Sequence, residues 1–216
     1  MFTGIIEEIG SIRRIIPIRN GKKIFVNAQK VLSDLKVGDS MAVSGTCLTV
    51  AGLSKDSFMA EVVGETLLKT TIKRWTPRKK VNLERALQAA DRFSGHLVQG
   101  HVNGIGRIVR MIHRGENWNL LLQIPQELTP YTIPEGSIAV DGVSLTIAEI
   151  TGRIISISII PHTFKNTIIS TYKAGHLVNI EIDFLARYIE KLLLTKKGNT
   201  STETFSSEWF KSLGYQ

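Results

Sequence analysis

The sequence predicts an all-β protein: two tandem, similar, six-stranded Greek-key β-barrels followed by a C-terminal α-helix. Three observations lead there. The chain repeats itself, each copy reads as short strands between glycine-containing turns, and an amphipathic stripe follows the second copy.

The repeat comes first, because self-similarity at a fixed period organises everything else. SGTCLTV at 44–50 recurs as DGVSLTI at 141–147, and 144 less 47 gives a period of 97. The same offset pairs Gly45 with Gly142, Thr66 with Thr163, Thr70 with Thr167, and Val81-Asn82-Leu83-Glu84 with Val178-Asn179-Ile180-Glu181. Gly4, Gly10 and Ile12 pair with Gly100, Gly106 and Ile108 at 96, and Gly38 with Gly136 at 98, which predicts small insertions in turns. Within each copy, runs of Ile, Val, Thr and Leu alternate with turns at a spacing of roughly ten residues, the pattern of a barrel or sandwich. Each copy has room for five or six strands of ordinary length, and closure into a barrel removes exposed edges. From Phe184 the period changes: Phe184, Leu185, Tyr188, Ile189, Leu192 and Leu193 share one face of a helix. That face reads either as packing against the barrels or as helix association between subunits. Lys196 to Thr204 reads as a flexible link, and Trp209, Phe210 and Leu213 as a short final helical turn. The predicted divisions are residues 1–96, 97–186 and 187–216.

Composition narrows the class. With 43% hydrophobic and 21% charged residues in 216, disorder is excluded as the main state. No run approaches the ~18 apolar residues of a membrane span. Glu7 and Glu8 stand where a signal peptide carries positive charge, so a cytoplasmic protein without a membrane partner is expected. A single cysteine, Cys47, excludes an intrachain disulfide and a thiolate-rich metal site, and leaves a reactive thiol. The net charge of +8 permits nucleic acid, membrane surface or anionic small molecules without choosing among them.

Strand alternation sets Cys47 and Thr49 on one face and Leu48 and Val50 on the other; Ser144 and Thr146 oppose Leu145 and Ile147 in the same way. The small polar face suits either solvent or a ligand's hydrogen-bonding edge, and Gly45 and Gly142 allow close backbone approach to a planar ligand. Asn82 and Glu84, repeated as Asn179 and Glu181, read as structural groups closing hydrogen bonds within each barrel. Asp183 is matched by Ala86, which makes it the candidate for a role the copies do not share. His96 and His101 bracket GHLVQGH; residues five apart on a strand face opposite ways, which argues against a shared metal, while either remains available as a general acid or base. NGIGRIV lacks the third glycine of a dinucleotide fingerprint and is set aside. The basic run KTTIKRWTPRKK at 69–80 reads as a solvated loop, or as a phosphate-contacting segment with Trp75 stacked on a base.

Taken together, MFTGI at the N-terminus, SGTCLTV, GHLVQGHV, DGVSLTI and VNIEID resemble the riboflavin synthase alpha-chain family, in that family's order and spacing, from residue 1 to about 186. The resemblance implies two lumazine-binding barrels in a homotrimer held by C-terminal helices. It implies dismutation of two 6,7-dimethyl-8-ribityllumazine molecules into riboflavin and a ribitylamino-pyrimidinedione, with no metal or organic cofactor and no nucleic-acid partner. Catalysis is implied where the N-terminal barrel of one subunit meets the C-terminal barrel of its neighbour. By matching motif positions, the first site uses Gly4, Ile5 and Ile6 with Ser144, Leu145 and Thr146 and the segment Ser158, Ile159, Ile160, Pro161, His162 and Thr163 from a neighbouring chain. The second uses Cys47, Leu48 and Thr49, then Glu61, Val62, Val63, Gly64, Glu65 and Thr66, and Gly100, His101 and Val102. Cys47, Ser144, Asp183 and His101 are the implied catalytic set: a thiol, hydroxyl or activated water adds to the ring, and Asp183 orients Ser144. Three positions depart from the family pattern. Ser44 replaces the usual Asn, Asn103 the common Asp, and Glu135 an expected basic residue at a ligand contact across the subunit boundary. A non-catalytic lumazine or flavin carrier is the alternative; the retained Ser144, Thr146 and Asp183 favour the enzyme.

Overall fold

The computed structural model describes residues 1–198. The first copy contributes β1 (Glu8–Ile18), β2 (Gly21–Asn27), β3 (Ser40–Val43), β4 (Thr46–Leu53), β5 (Ser57–Val63) and β6 (Lys80–Arg85). They close into an antiparallel barrel in the order β1-β2-β5-β4-β3-β6. The second copy contributes β7 (Gly104–Arg114), β8 (Asn117–Gln123), β9 (Ser137–Val140), β10 (Val143–Thr151), β11 (Ile154–Ile159) and β12 (Leu177–Ile182), closed with the same connectivity, β7-β8-β11-β10-β9-β12. Even the bulges repeat. The register slips between Ile12 and Arg14 and between Val50 and Gly52 in the first barrel, and between Ile108 and Arg110 and between Ile147 and Glu149 in the second. Each slip adds local twist and bends its strand, which a small closed barrel requires.

Alternation fills each interior. Ile12, Ile24, Val26, Phe58 and Leu83 are buried in the first core, and Ile108, Leu120, Leu122, Ile157 and Ile180 in the second. A third apolar cluster joins the copies, where Phe2, bridged to Val98, packs with Ala42 and Ala139.

The repeat is also a pseudo-twofold axis. At its centre Gly45 and Gly142 meet backbone to backbone: a Cβ on Gly45 would lie 2.6 Å from the Gly142 nitrogen, so only glycine fits. The two asparagines work across this junction and not within their own barrels, which corrects the expectation from sequence. Asn82 Nδ2 donates to the Asp141 carbonyl (2.9 Å) and its Oδ1 accepts from Ile168 N–H (2.8 Å). Asn179 mirrors it on the Ser44 carbonyl (2.7 Å) and Thr71 N–H (2.8 Å). Alternation alone could not reveal this, because it gives a face and not a partner.

One sequence pairing shifts as well. Gly38 N–H donates to the Val50 carbonyl as Glu135 N–H donates to that of Ile147, both at 2.8 Å. Gly38 therefore corresponds to Glu135, not Gly136, so the period of 97 extends to this turn, while β1 and β2 match β7 and β8 at 96. Both sit at positive φ, +99° and +64°, so Glu135 occupies a left-handed position where the first copy has glycine.

Two short helices, α1 (Gly64–Lys69) and α2 (Pro161–Asn166), follow β5 and β11, and α3 spans Phe184–Gly198. The expected helix is present, and Leu185, Tyr188, Ile189, Leu192 and Leu193 are exposed along it. The described residues from Leu185 to Gly198 fall outside the compact unit Met1–Phe184. No helix among the described residues is long and apolar enough to cross a membrane. The link beyond Gly198, with Trp209, Phe210 and Leu213, lies outside the described residues.

Candidate functional site

Strands β4 and β10 place their side chains as alternation predicts. Leu48, Val50, Leu145 and Ile147 are buried in the cores; Thr49 and Thr146 are exposed, and Cys47 and Ser144 are half-buried. Leu48 and Leu145 therefore have only backbone to offer a ligand, as do Val62 and Ile159, also buried.

Each polar face is overlaid by an extended strap from elsewhere in the chain. The N-terminal strap brings the Gly4 carbonyl to Ser144 N–H (2.8 Å), and the segment between the barrels brings the Gly100 carbonyl to Cys47 N–H (2.9 Å). Gly4 (φ +77°) and Gly100 (φ +78°) press so close that an added Cβ would stand 2.6 Å from Ser144 Cβ and 2.5 Å from Cys47 Cβ. Here glycine is needed both for conformation and for clearance. Ile5 and His101 follow the glycines and are exposed beside the two faces, while Ile6 and Val102 turn inward, Ile6 against the second core.

Gly4 thus meets Ser144 within one chain, with Ile5 and Ile6 following it along the strap. The physical reason is the swapped course of the straps: each leaves one barrel and hydrogen-bonds to the other. The remaining segments join by strand pairing. Next to β10, β11 carries Ser158 and Ile159 on through Ile160 to Pro161, His162 and Thr163 at the start of α2. Next to β4, β5 carries Glu61, Val62 and Val63 on to Gly64, Glu65 and Thr66 in α1. Glu61 pairs with Lys23 (3.0 Å) and Glu65 with Lys69 (2.8 Å), both exposed.

The two faces differ in chemistry. Ser144 Oγ lies 2.7 Å from His96 Nδ1. Burial lowers the pKa of His96, and the Asp183 carboxylate opposes that shift, which places Asp183 within electrostatic reach. Cys47 instead borders the Phe2–Val98 cluster, with Ala86 beside that cluster where the second copy has Asp183. A neutral imidazole against a hydroxyl, with a carboxylate near, can take and return a proton. The sequence left both His96 and His101 available for this work, and the family resemblance pointed to His101, which is exposed. The available signal was that His96, like Asp183, belongs to the part of the repeat the copies do not share. Sequence reasoning also missed Trp118, stacked on Phe164 at 3.8 Å and 2° beside Thr163.

Trp75 is buried and its indole N–H donates to Thr71 Oγ1 (3.0 Å), so it is not a platform for a base.

Comparison with known proteins bears directly on these two faces. The lumazine binding domain model matches twice, at residues 3–86 and 99–183. Riboflavin synthase of Actinobacillus pleuropneumoniae is 40% identical over 215 residues, covering the whole of both chains. This chain belongs to the riboflavin synthase family. Riboflavin synthase of Bacillus subtilis (strain 168) is 39% identical over the same length, again across both chains. Among solved structures, LumP complexed with riboflavin superposes with a TM-score of 0.79 at 26% identity, over 84% of this chain and 99% of that one. LumP complexed with 6,7-dimethyl-8-(1'-D-ribityl) lumazine gives 0.77 with the same identity and coverage.

Set within the riboflavin synthase family, the three departures acquire local explanations. Ser44 (φ +43°) caps the junction, its Oγ accepting from Asn82 N–H at 3.3 Å. Asn103 Oδ1 accepts from Ile182 N–H (2.9 Å), a bond a carboxylate oxygen would make equally well. Glu135 is exposed in the turn ahead of β9, tied through its backbone to Ile147 on β10.

Proposed function

We propose that this chain catalyses the riboflavin synthase reaction, in which one 6,7-dimethyl-8-ribityllumazine gives a four-carbon unit to a second. The acceptor becomes riboflavin and the donor becomes 5-amino-6-(D-ribitylamino)uracil. Because donor and acceptor begin identical, the oxidation state gained by one is lost by the other, and no external oxidant, metal or organic cofactor is required. The observation that carries this reading is the pair of equivalent faces with unequal chemistry: Cys47 and Thr49 on one, Ser144 and Thr146 on the other, where His96 is bonded to Ser144 and the Asp183 charge acts on His96. Two alike sites suit two identical substrates, and their differences assign unlike roles.

The 7-methyl protons are acidic through delocalisation into the ring, so a buried neutral imidazole suffices as the base. His96 takes a proton directly or through Ser144, and Asp183 stabilises the imidazolium that forms. Ligand contacts are assigned to residues 4–6, 144–146 and 158–163 on one face, and to 47–49, 61–66 and 100–102 on the other, with Glu135 at the boundary. Residues 1–96 and 97–186 each supply one face and the strap over the other's, and 187–216 serve self-association as a homotrimer in the cytoplasm. A pure carrier role is the second reading, motivated by the LumP likeness; the relatives near 40% identity, named for the enzyme, weigh against it.

Incubating the purified protein with the lumazine alone tests the proposal. Riboflavin absorbance should grow and should survive exhaustive chelation; tight binding without turnover would leave the carrier.

A further inference from the structure

We propose that Glu84 and Glu181 are positioning residues that act across the barrel boundary, Glu84 of the first barrel setting the ligand face on β10 and Glu181 of the second setting the face on β4. The proposal rests on the two faces being ligand sites. The repeat preserves both glutamates, and both are buried, Glu84 at 4% and Glu181 at 5% exposure. A buried carboxylate is retained only where strong donors satisfy it. The donors here are the two straps. Glu84 Oε1 accepts from Thr3 N–H (2.6 Å) and Thr3 Oγ1–H (2.8 Å), and Oε2 accepts from Gly4 N–H (3.1 Å). Glu181 Oε1 accepts from Gln99 N–H (2.6 Å), and Oε2 from Gly100 N–H (2.9 Å).

The geometry then crosses over. Gly4, held through its N–H by the first barrel, presents its carbonyl to Ser144 of the second; Gly100, held by the second, presents its carbonyl to Cys47 of the first. One glycine therefore separates each carboxylate from the backbone that carries the opposite barrel's reactive side chain. The straps touch these side chains through glycine Cα atoms; the buried Phe2–Val98 bridge anchors the straps to each other, and the carboxylates hold each glycine over the opposite face through its N–H.

A Glu→Gln change keeps one oxygen and turns the other into a donor facing an N–H, so each variant releases its strap. In the full chain, Cys47, the sole thiol, reports the first face through its alkylation rate and its protection by lumazine. In a Cys47→Ser, Ser144→Cys background the introduced thiol reports the second face. Loss of a charge-assisted bond predicts that Glu181→Gln raises the lumazine concentration needed for half-protection of Cys47 about tenfold and leaves the second face unchanged. Glu84→Gln should do the reverse, and Glu→Asp should restore part of each loss by keeping the charge. A second readout needs no ligand: Glu181→Gln should speed alkylation of Cys47, and Glu84→Gln should not. Same-barrel effects, or equal effects at both faces, would overturn the proposal. Crossed alkylation rates without lumazine protection at either thiol would uphold the straps and reject the ligand reading instead.

Discussion

Ser144 Oγ and His96 Nδ1 stand 2.7 Å apart at the β10 face, whereas Cys47, the counterpart of Ser144, sits beside an apolar cluster. The duplicated fold therefore offers two similar cradles, one of which carries an imidazole within hydrogen-bond reach of its serine. Each cradle serves as the other's control in mutagenesis.

For the chemical step, Ser144→Ala, His96→Gln and Asp183→Ala should keep lumazine affinity, read by fluorescence, and lose turnover. The loss should reach about a hundredfold or more at His96, the usual scale of a positioned acid or base. Because the Asp183 carboxylate raises the His96 pKa, Asp183→Asn should move the acid limb of the turnover profile to lower pH. An unmoved limb would detach Asp183 from His96.

At the junction, Asn179→Ala leaves the Ser44 carbonyl and Thr71 N–H buried without their partner. Urea unfolding should show a loss of about 3 kcal/mol, the combined cost of two such groups. The loss should match Asn82→Ala, its mirror image. A change under about 0.5 kcal/mol, the scale of an ordinary surface substitution, would mean the barrels do not depend on this contact.

Asp141 supplies a pH signature. It is buried, accepting from Tyr172 O–H and Asn179 N–H, and burial pushes its carboxyl up to about 6 from 3.8, with Lys79 opposing. Between these values the folded chain holds more protons than the unfolded one, so this group's stability contribution falls as pH rises through the window. Asp141→Asn removes that slope. Its melting temperature relative to the parent should therefore improve from pH 4 to pH 7; a constant difference would refute the assignment.

The apolar face of α3 leads to a prediction about assembly. Ending the chain after Asp183 removes Leu185, Tyr188, Ile189, Leu192 and Leu193, all exposed. Sedimentation should then show smaller species with little catalysis, and an active trimer would refute the helix's role.

Most of the fold was legible because a closed barrel writes itself as alternation: Leu48 and Val50 in, Cys47 and Thr49 out. The duplication doubled that signal. What stayed hidden depends on contacts between distant residues. Nothing local to Asn82 says that its amide crosses to Asp141, and nothing local to Gly4 says that it lies on Ser144. Glu135 misled for a different reason, since matching glycine to glycine favoured Gly136 and a left-handed glutamate is uncommon. His96 and His101 had equal claims in sequence; only the hydrogen bond to Ser144 separates them.

The most direct test of the central claim is a carbon balance: the purified full chain, 6,7-dimethyl-8-ribityllumazine as sole substrate, and chromatographic quantification of everything formed. The account predicts one riboflavin and one 5-amino-6-(D-ribitylamino)uracil for every two lumazines consumed, the stoichiometry of a dismutation between the two faces. Lumazine bound at both faces yet recovered unchanged would contradict it.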